Sequence, residues 1–285
     1  MDILAERTSI APRATAAKPA RSMPKWRRYL NRGGAFVVAF VAMTFAISAS
    51  WRAWGVPMYA DLPNVAHAAG GIGDTTYVNG IDALDANYAR GFRIFEMDFN
   101  WTSDGVLVCN HDWKEYDGKA PDFLTFERTN NALPHPACTY PTATTWFKNH
   151  PQATLISDAK DRVIETNAYL RRALGDQLLP TVYDLPTALA ISQNGRYPMV
   201  LATYKMKTLW DRFVLLGSMR GKRIHINAVA MSMADATAGL GLWAKLWIDA
   251  PIYSYTVNNC EPVPTLKVLG VDAIYTDFLE IDSCR

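Results

Sequence analysis

Short apolar runs bounded by Gly, Pro, Asn and Asp recur along residues 64–279, and stretches with helical apolar spacing separate most of them. The pattern predicts eight strands: Asn64–His67, Arg93–Phe99, Thr154–Lys160, Leu178–Tyr183, Pro198–Tyr204, Arg223–Ala230, Ile252–Asn258 and Ala273–Asp277. Helices are predicted over Tyr77–Arg90, Arg162–Leu174 and Pro186–Asn194. A ninth extended run, Val106–His111, follows Arg93–Phe99 too closely for a parallel crossover and predicts an antiparallel hairpin arm. Eight strands with helical crossovers match the count and size of a (β/α)8 TIM barrel. A doubly wound open sheet is the alternative that periodicity leaves open.

The hairpin carries the densest chemistry. Glu96 and Asp98 are two apart on a strand and so share a face, and His111-Asp112 lies on the returning arm. Between them Thr102-Ser103-Asp104-Gly105 supplies a turn. Taking Asp104-Gly105 as a two-residue loop pairs Ser103 with Val106, Trp101 with Val108, and Asp98 with His111. The plainer reading of the same stretch is a half-buried hairpin with a solvated acidic face.

Strand ends elsewhere favour the chemical reading. In a barrel the active site lies at the carboxyl ends of the strands. There the sequence puts His67, then Glu96 and Asp98, then Asp158 and Lys160. Three carboxylates without a thiolate favour Ca²⁺ or Mg²⁺ over zinc. Two imidazoles suit proton transfer in both directions, and Lys160 adds fixed positive charge. Cations and imidazoles together suit a phosphodiester, whose oxygens gain charge as a P–O bond breaks. His225 reads as a core histidine, and His135 and His150 as loop residues of a polar segment, 113–152. Trp113, Phe123, Phe126 and Trp146 in that segment predict a satellite core in preference to a lid or lipid-facing rim.

Charge separates the chain's start from its body. Residues 1–32 hold eight Lys/Arg against Asp2 and Glu6, a net of +6, which leaves −4 for the remainder out of the total of +2. The basic start, rich in Ala and Pro, reads as a disordered cytoplasmic tail, and the acidic body carries no footprint for nucleic acid. Gly33–Trp51 follows as nineteen residues without a charge. With Arg52 it predicts a single transmembrane helix over 33–52, or else a cleaved signal peptide, and either one exports residues 53–285. Exported cysteines form disulfides; of three possible pairings, Cys109–Cys138 with Cys260–Cys284 keeps both bridges local and is expected.

The ordered motifs resemble the glycerophosphodiester phosphodiesterase family, whose barrel is like that of phosphatidylinositol-specific phospholipase C. That family opens with Ala-His-Arg-Gly, where this chain has Ala66-His67-Ala68-Ala69-Gly70. Glu-x-Asp, Thr-x-Asp-Gly and His-Asp follow, matched by Glu96-Met97-Asp98, Thr102-Ser103-Asp104-Gly105 and His111-Asp112. Glu-x-Lys is matched by Asp158-Ala159-Lys160, and Trp-Thr-x-Asn by Tyr255-Thr256-Val257-Asn258. Gly-Val-Asp-x-Ile-x-Thr-Asp stands intact at 270–277. The departures are Ala68 for Arg, Val78 for the Glu of Glu-Asn-Thr with Asn79 kept, Asp158 for Glu, and Tyr255 for Trp. Ala68 removes a bidentate phosphate clamp.

The resemblance implies His67 and His111 as the acid–base pair and Glu96, Asp98 and Asp158 as holders of a divalent metal. It implies that Lys160 contacts phosphate and that Tyr255 faces the alcohol moiety. The implied substrate is a glycerophosphodiester or a phospholipid head group. A non-catalytic head-group-binding barrel and a phospholipase D-like lipase are the alternatives.

Overall fold

The computed structural model describes residues 63–193, 197–206, 208–280 and 283–284, with Val38, Ala39, Ala42, Met43 and Ala46. The chain divides into two compact units, residues 1–40 and 41–285. In the first, the described Val38 and Ala39 are helical. The expected tail over 1–32 and nearly all of the expected span over 33–52 lie outside the described residues. Among those described, no helix is long and apolar enough to cross a membrane.

The second unit holds a closed parallel barrel. Its strands are β1 (Val65–Ala66), β2 (Ile94–Trp101), β4 (Thr154–Ala159), β5 (Leu178–Val182), β6 (Met199–Ala202), β7 (Ile226–Ser232), β8 (Ile252–Tyr255) and β9 (Ala273–Thr276). Each pairs in parallel with its neighbour in that order, and β1 closes the ring by pairing with both β2 and β9. All eight correspond to the predicted runs, and closure excludes the open sheet. Strand alternation divides the core into layers. Val65, Ile156, Val200, Ala228, Tyr253 and Tyr275 fill the barrel, while Phe95, Met97, Phe99 and Leu155 face outward onto helices.

The arm β3 (Leu107–Val108) pairs antiparallel with β2, as expected, but one residue out of the expected register. Val108 faces Asn100, Leu107 faces Trp101, and Thr102 N–H donates to the Val106 carbonyl at 2.9 Å. The loop is therefore Ser103-Asp104-Gly105, a three-residue turn whose last position is left-handed (Gly105 φ +84°). Asp98 does not pair with His111. Beyond Val108 the arm leaves β2: Cys109 N–H donates to the Cys138 carbonyl at 2.8 Å, beside the Cys109–Cys138 disulfide. Cys260–Cys284 is the second bridge, so both expected pairings are present.

Four other expectations change. The helix predicted from Tyr77 begins only at Ile81 and runs to Ala89. Tyr77 and Asn79 have left-handed backbones (φ +56° and +49°), which a helix cannot contain. Segment 113–152 is not mainly loop, since it contains helices Phe123–Asn130 and Tyr140–Asn149. Asp122 caps the first with its side chain, and a capping box between Thr139 and Thr142 opens the second, with Thr142 Oγ1 accepting the Thr139 N–H. Trp113 and Phe126 form the satellite core, with ring centroids 6.0 Å apart. Trp146 belongs to the main core instead, edge-on to Phe95 at 5.4 Å. His225 is exposed rather than part of the core.

The turn after β1 depends on one glycine. Gly70 has φ +88°, and a Cβ there would lie 2.3 Å from Asn87 Nδ2. That amide is buried and donates to the carbonyls of Ala69, Gly71 and Ala83. Gly70→Ala therefore strains the backbone and displaces a buried donor together, at a cost of about 2 kcal/mol or more. The expected result is a several-degree fall in Tm by calorimetry, with the far-ultraviolet circular dichroism unchanged.

Candidate active site

The register of two adjacent strands brings the acids together. β2 and β4 pair so that Asp98 lies beside Asp158 and Glu96 beside Ile156. One oxygen from each of Glu96, Asp98 and Asp158 lies within 4.8 Å of the others. Hard oxygens at this spacing fit a divalent cation such as Ca²⁺ or Mg²⁺.

Each carboxylate already has protein partners. Asn79 Nδ2 donates to Asp98 Oδ2 at 2.9 Å, and Asp98 N–H returns a 2.9 Å bond to Asn79 Oδ1. Ala68 N–H donates to Glu96 Oε2 at 2.9 Å, which the left-handed Ala68 backbone makes possible. Thus position 68 lacks a guanidinium but still serves the site through its main chain. Tyr183 hydroxyl donates to Asp158 Oδ1. Lys160 Nζ bridges the remaining oxygens, 2.8 Å from Asp98 Oδ1 and 2.6 Å from Asp158 Oδ2.

His67 sits across from the acids, on the turn after β1. Its Nδ1 lies 2.8 Å from Asp277 Oδ1, and its Nε2 4.0 Å from Glu96 Oε2. Asp277 is itself fixed by Asn258, whose Nδ2 donates to Oδ2 at 2.7 Å and whose Oδ1 accepts the Asp277 N–H at 2.8 Å. Burial works against a charge on His67, but the Asp277 hydrogen bond and the Glu96 and Asp98 charges outweigh it and raise its pKa to about 8. Burial, and next the Asp98 charge, push Glu96 up into the same region. Desolvation opposes the Lys160 charge, yet Asp98 and Asp158 hold its pKa above the ordinary lysine value.

A cavity of about 390 Å³ unites these groups at the carboxyl ends of the strands. All seven sequence-expected site residues line it: His67, Glu96, Asp98, His111, Asp158, Lys160 and Tyr255. His111 is at the rim, with its side chain 41% exposed against 13% for His67, and Nδ1 3.1 Å from Asp112. Tyr255 lines the cavity too, and among the described residues its buried hydroxyl has no hydrogen-bond partner. Lys160 is spent on two carboxylates rather than standing free to receive a phosphate.

The sequence reading assigned no role to Tyr77, Tyr183, Tyr204 or Asp277. Tyr183, Tyr204 and Asp277 end three of the predicted strands, so the strand-end rule would have found them had it extended to neutral residues and to the last strand. Nothing local in the sequence marks Tyr77.

No protein-family model and no curated protein sequence matches the chain. Solved structures do share its fold. A glycerophosphodiester phosphodiesterase from Parabacteroides distasonis superposes with TM-score 0.59 at 14% identity, covering 75% of this chain and 93% of that one. A phosphodiesterase from Oleispira antarctica, solved with the product sn-glycerol-3-phosphate, gives 0.58 at 16% identity, covering 80% and 98%. The enzyme from Thermotoga maritima gives 0.55 at 13%, covering 76% and 94%. The fold of this chain is therefore the barrel of the glycerophosphodiester phosphodiesterases, as the motifs implied.

Two measurements test the electrostatics. His67 binds its proton more tightly in the fold than in the unfolded chain. It therefore contributes stability in full below about pH 6.5, lost as pH rises through about 8. In metal-free protein, nuclear magnetic resonance titration of His67 should give a midpoint near 8, and Asp277→Asn should move it down by about one unit. Lys160→Met removes a cation that competes for Asp98 and Asp158. It should raise divalent affinity by about tenfold by calorimetry; unchanged affinity would show that the ammonium does not stand in the ion's way.

Proposed function

We propose that this chain is a metal-dependent phosphodiesterase that hydrolyses a glycerophosphodiester or a phospholipid head group. The observation that carries the reading is the convergence of two histidines, three carboxylates and a lysine on one cavity of this barrel. The sn-glycerol-3-phosphate bound by the Oleispira antarctica enzyme supports a substrate of that size and charge.

Glu96, Asp98 and Asp158 would hold a divalent cation, Ca²⁺ or Mg²⁺, which when bound supplies positive charge for the phosphoryl oxygens. The chain's own groups then handle protons. His67, charged at neutral pH and oriented by Asp277, donates from Nε2 to the leaving alkoxide as its P–O bond breaks. His111, at the rim, takes the proton of the attacking hydroxyl, whether of water or of a neighbouring substrate group. Lys160, once released from its carboxylates, meets the phosphate's remaining charge. Tyr255 presents its ring and unpartnered hydroxyl to an alcohol arm.

The body is exported, as its two disulfides and the apolar run Gly33–Trp51 together suggest, and that run anchors it unless cleaved. Against a panel of glycerophosphodiesters with Ca²⁺ or Mg²⁺, the protein should release sn-glycerol-3-phosphate and free alcohol. His67→Ala and His111→Ala should each lower kcat by at least ~100-fold, and chelator should abolish turnover. Full activity in both variants would sink the assignment.

A further inference from the structure

Tyr77 stands between the two imidazoles, edge-on to His67 at 4.8 Å and to His111 at 5.1 Å. It does so on a left-handed backbone (φ +56°), a conformation that bulky side chains rarely adopt and that persists only where surrounding structure fixes it. Burial does not account for the residue, which is 50% exposed.

The fixing comes from either side in the chain. Val78 is buried, and Asn79 is bonded through its main chain and its side chain alike. Asn79 N–H donates to the Ala68 carbonyl at 2.9 Å, its carbonyl accepts the Cys138 N–H at 2.8 Å, and its amide exchanges two bonds with Asp98. Before Tyr77, the main chains of Ile72 and Thr75 exchange bonds of 3.1 and 2.9 Å. Between these anchors Tyr77 is turned into the cavity that both histidines line.

The two histidines need such a neighbour unequally. His67 is locked, with Nδ1 2.8 Å from an Asp277 side chain that is only 3% exposed. His111 is held less firmly. Its Nδ1 lies 3.1 Å from Asp112, whose side chain is 36% exposed and is also claimed by Lys114 at 2.7 Å. Polar pairs open to water in this way confer little order.

We propose that Tyr77 is the positioning residue for His111: its ring, backed by the locked His67, holds the rim imidazole in the orientation that accepts a proton. The inference rests on the phosphodiesterase reading, in which His111 deprotonates the attacking hydroxyl. A general base acts only within about 2.6–3.2 Å of the proton it takes. An imidazole free to turn at the rim spends little time at that distance. Edge-on aromatic pairs with centroids about 4.5–7 Å apart favour one mutual orientation, and both contacts of Tyr77 are of this kind. The ring therefore carries the role, and the hydroxyl does not.

Three variants of the full chain test this: Tyr77→Gly, Tyr77→Phe, and Tyr77→Gly in the His111→Ala background. Glycine suits φ +56°, so Tyr77→Gly should not lower Tm. The diester is bis(p-nitrophenyl) phosphate with Ca²⁺ or Mg²⁺; its nitrophenolate leaves without a proton, which isolates the step that His111 serves. Tyr77→Gly should lower kcat at least ~10-fold with KM unchanged. Tyr77→Phe should restore it, and in His111→Ala protein the glycine should cost nothing further. Carbon-13 relaxation of the histidine rings in metal-free protein should show His111 loosened in Tyr77→Gly, ordered in Tyr77→Phe, and His67 ordered in both. Wild-type kcat in Tyr77→Gly, an equal loss in Tyr77→Phe, a full further loss in the His111→Ala background, or an unloosened His111 ring would overturn the proposal. So would a fall in Tm with His67 loosened as well, the outcome for a merely structural tyrosine. The expected ring order without hydrolysis of the diester by wild type would leave the hold on His111 standing and remove the phosphodiesterase reading instead.

Discussion

One oxygen from each of three carboxylates lies within 4.8 Å of the others inside a barrel mouth, and the surroundings offset their mutual repulsion with positive charge and hydrogen-bond donors. Lys160 reaches Asp98 and Asp158 from the end of the strand that carries Asp158, and His67 approaches Glu96 from across the mouth. The remaining oxygens are met by Asn79, Tyr183 and the Ala68 main chain. Two left-handed residues near the site answer this constraint. The left-handed Ala68 aims an N–H at Glu96, and the left-handed Asn79 aims an amide at Asp98. Against burial, the Asp277 hydrogen bond first and then the charges of Glu96 and Asp98 raise the pKa of His67.

The barrel was legible because its strands are apolar runs with clean boundaries, and alternation correctly put Glu96 and Asp98 on one face. The errors came where tertiary bonds overrode local pattern. An Asp-Gly step suggested a two-residue loop, but Asp104 Oδ1 accepts from Thr102 Oγ1 and from Phe123 N–H, and the turn takes a third residue. His111 reaches the site all the same, because Cys138 and not β2 directs the arm. Tyr77–Gly80 looked helical by spacing, yet Asn79 is claimed by Ala68 and Asp98, contacts that no window of sequence contains.

The site residues divide in a similar way. Charged groups at strand ends could be picked out because charge in an apolar run is conspicuous. Tyr183 and Tyr204 end strands too, but tyrosine is ordinary in a strand and draws no notice. The orienting role of Asp277 depends on closure of the ring, which sets residues 210 positions apart in contact.

That last contact gives the barrel's seam a second meaning. β1 is two residues long and meets β9 on one side and β2 on the other, so the ring has no closure until the final strand docks. The His67–Asp277 hydrogen bond spans that same joint. Closing the ring and orienting the imidazole are thus a single event. The partner that orients His67 lies 210 residues further along the chain, so a chain still short of Asp277 cannot orient this imidazole. One seam between the first and last strands thus serves both the barrel's closure and its proton chemistry.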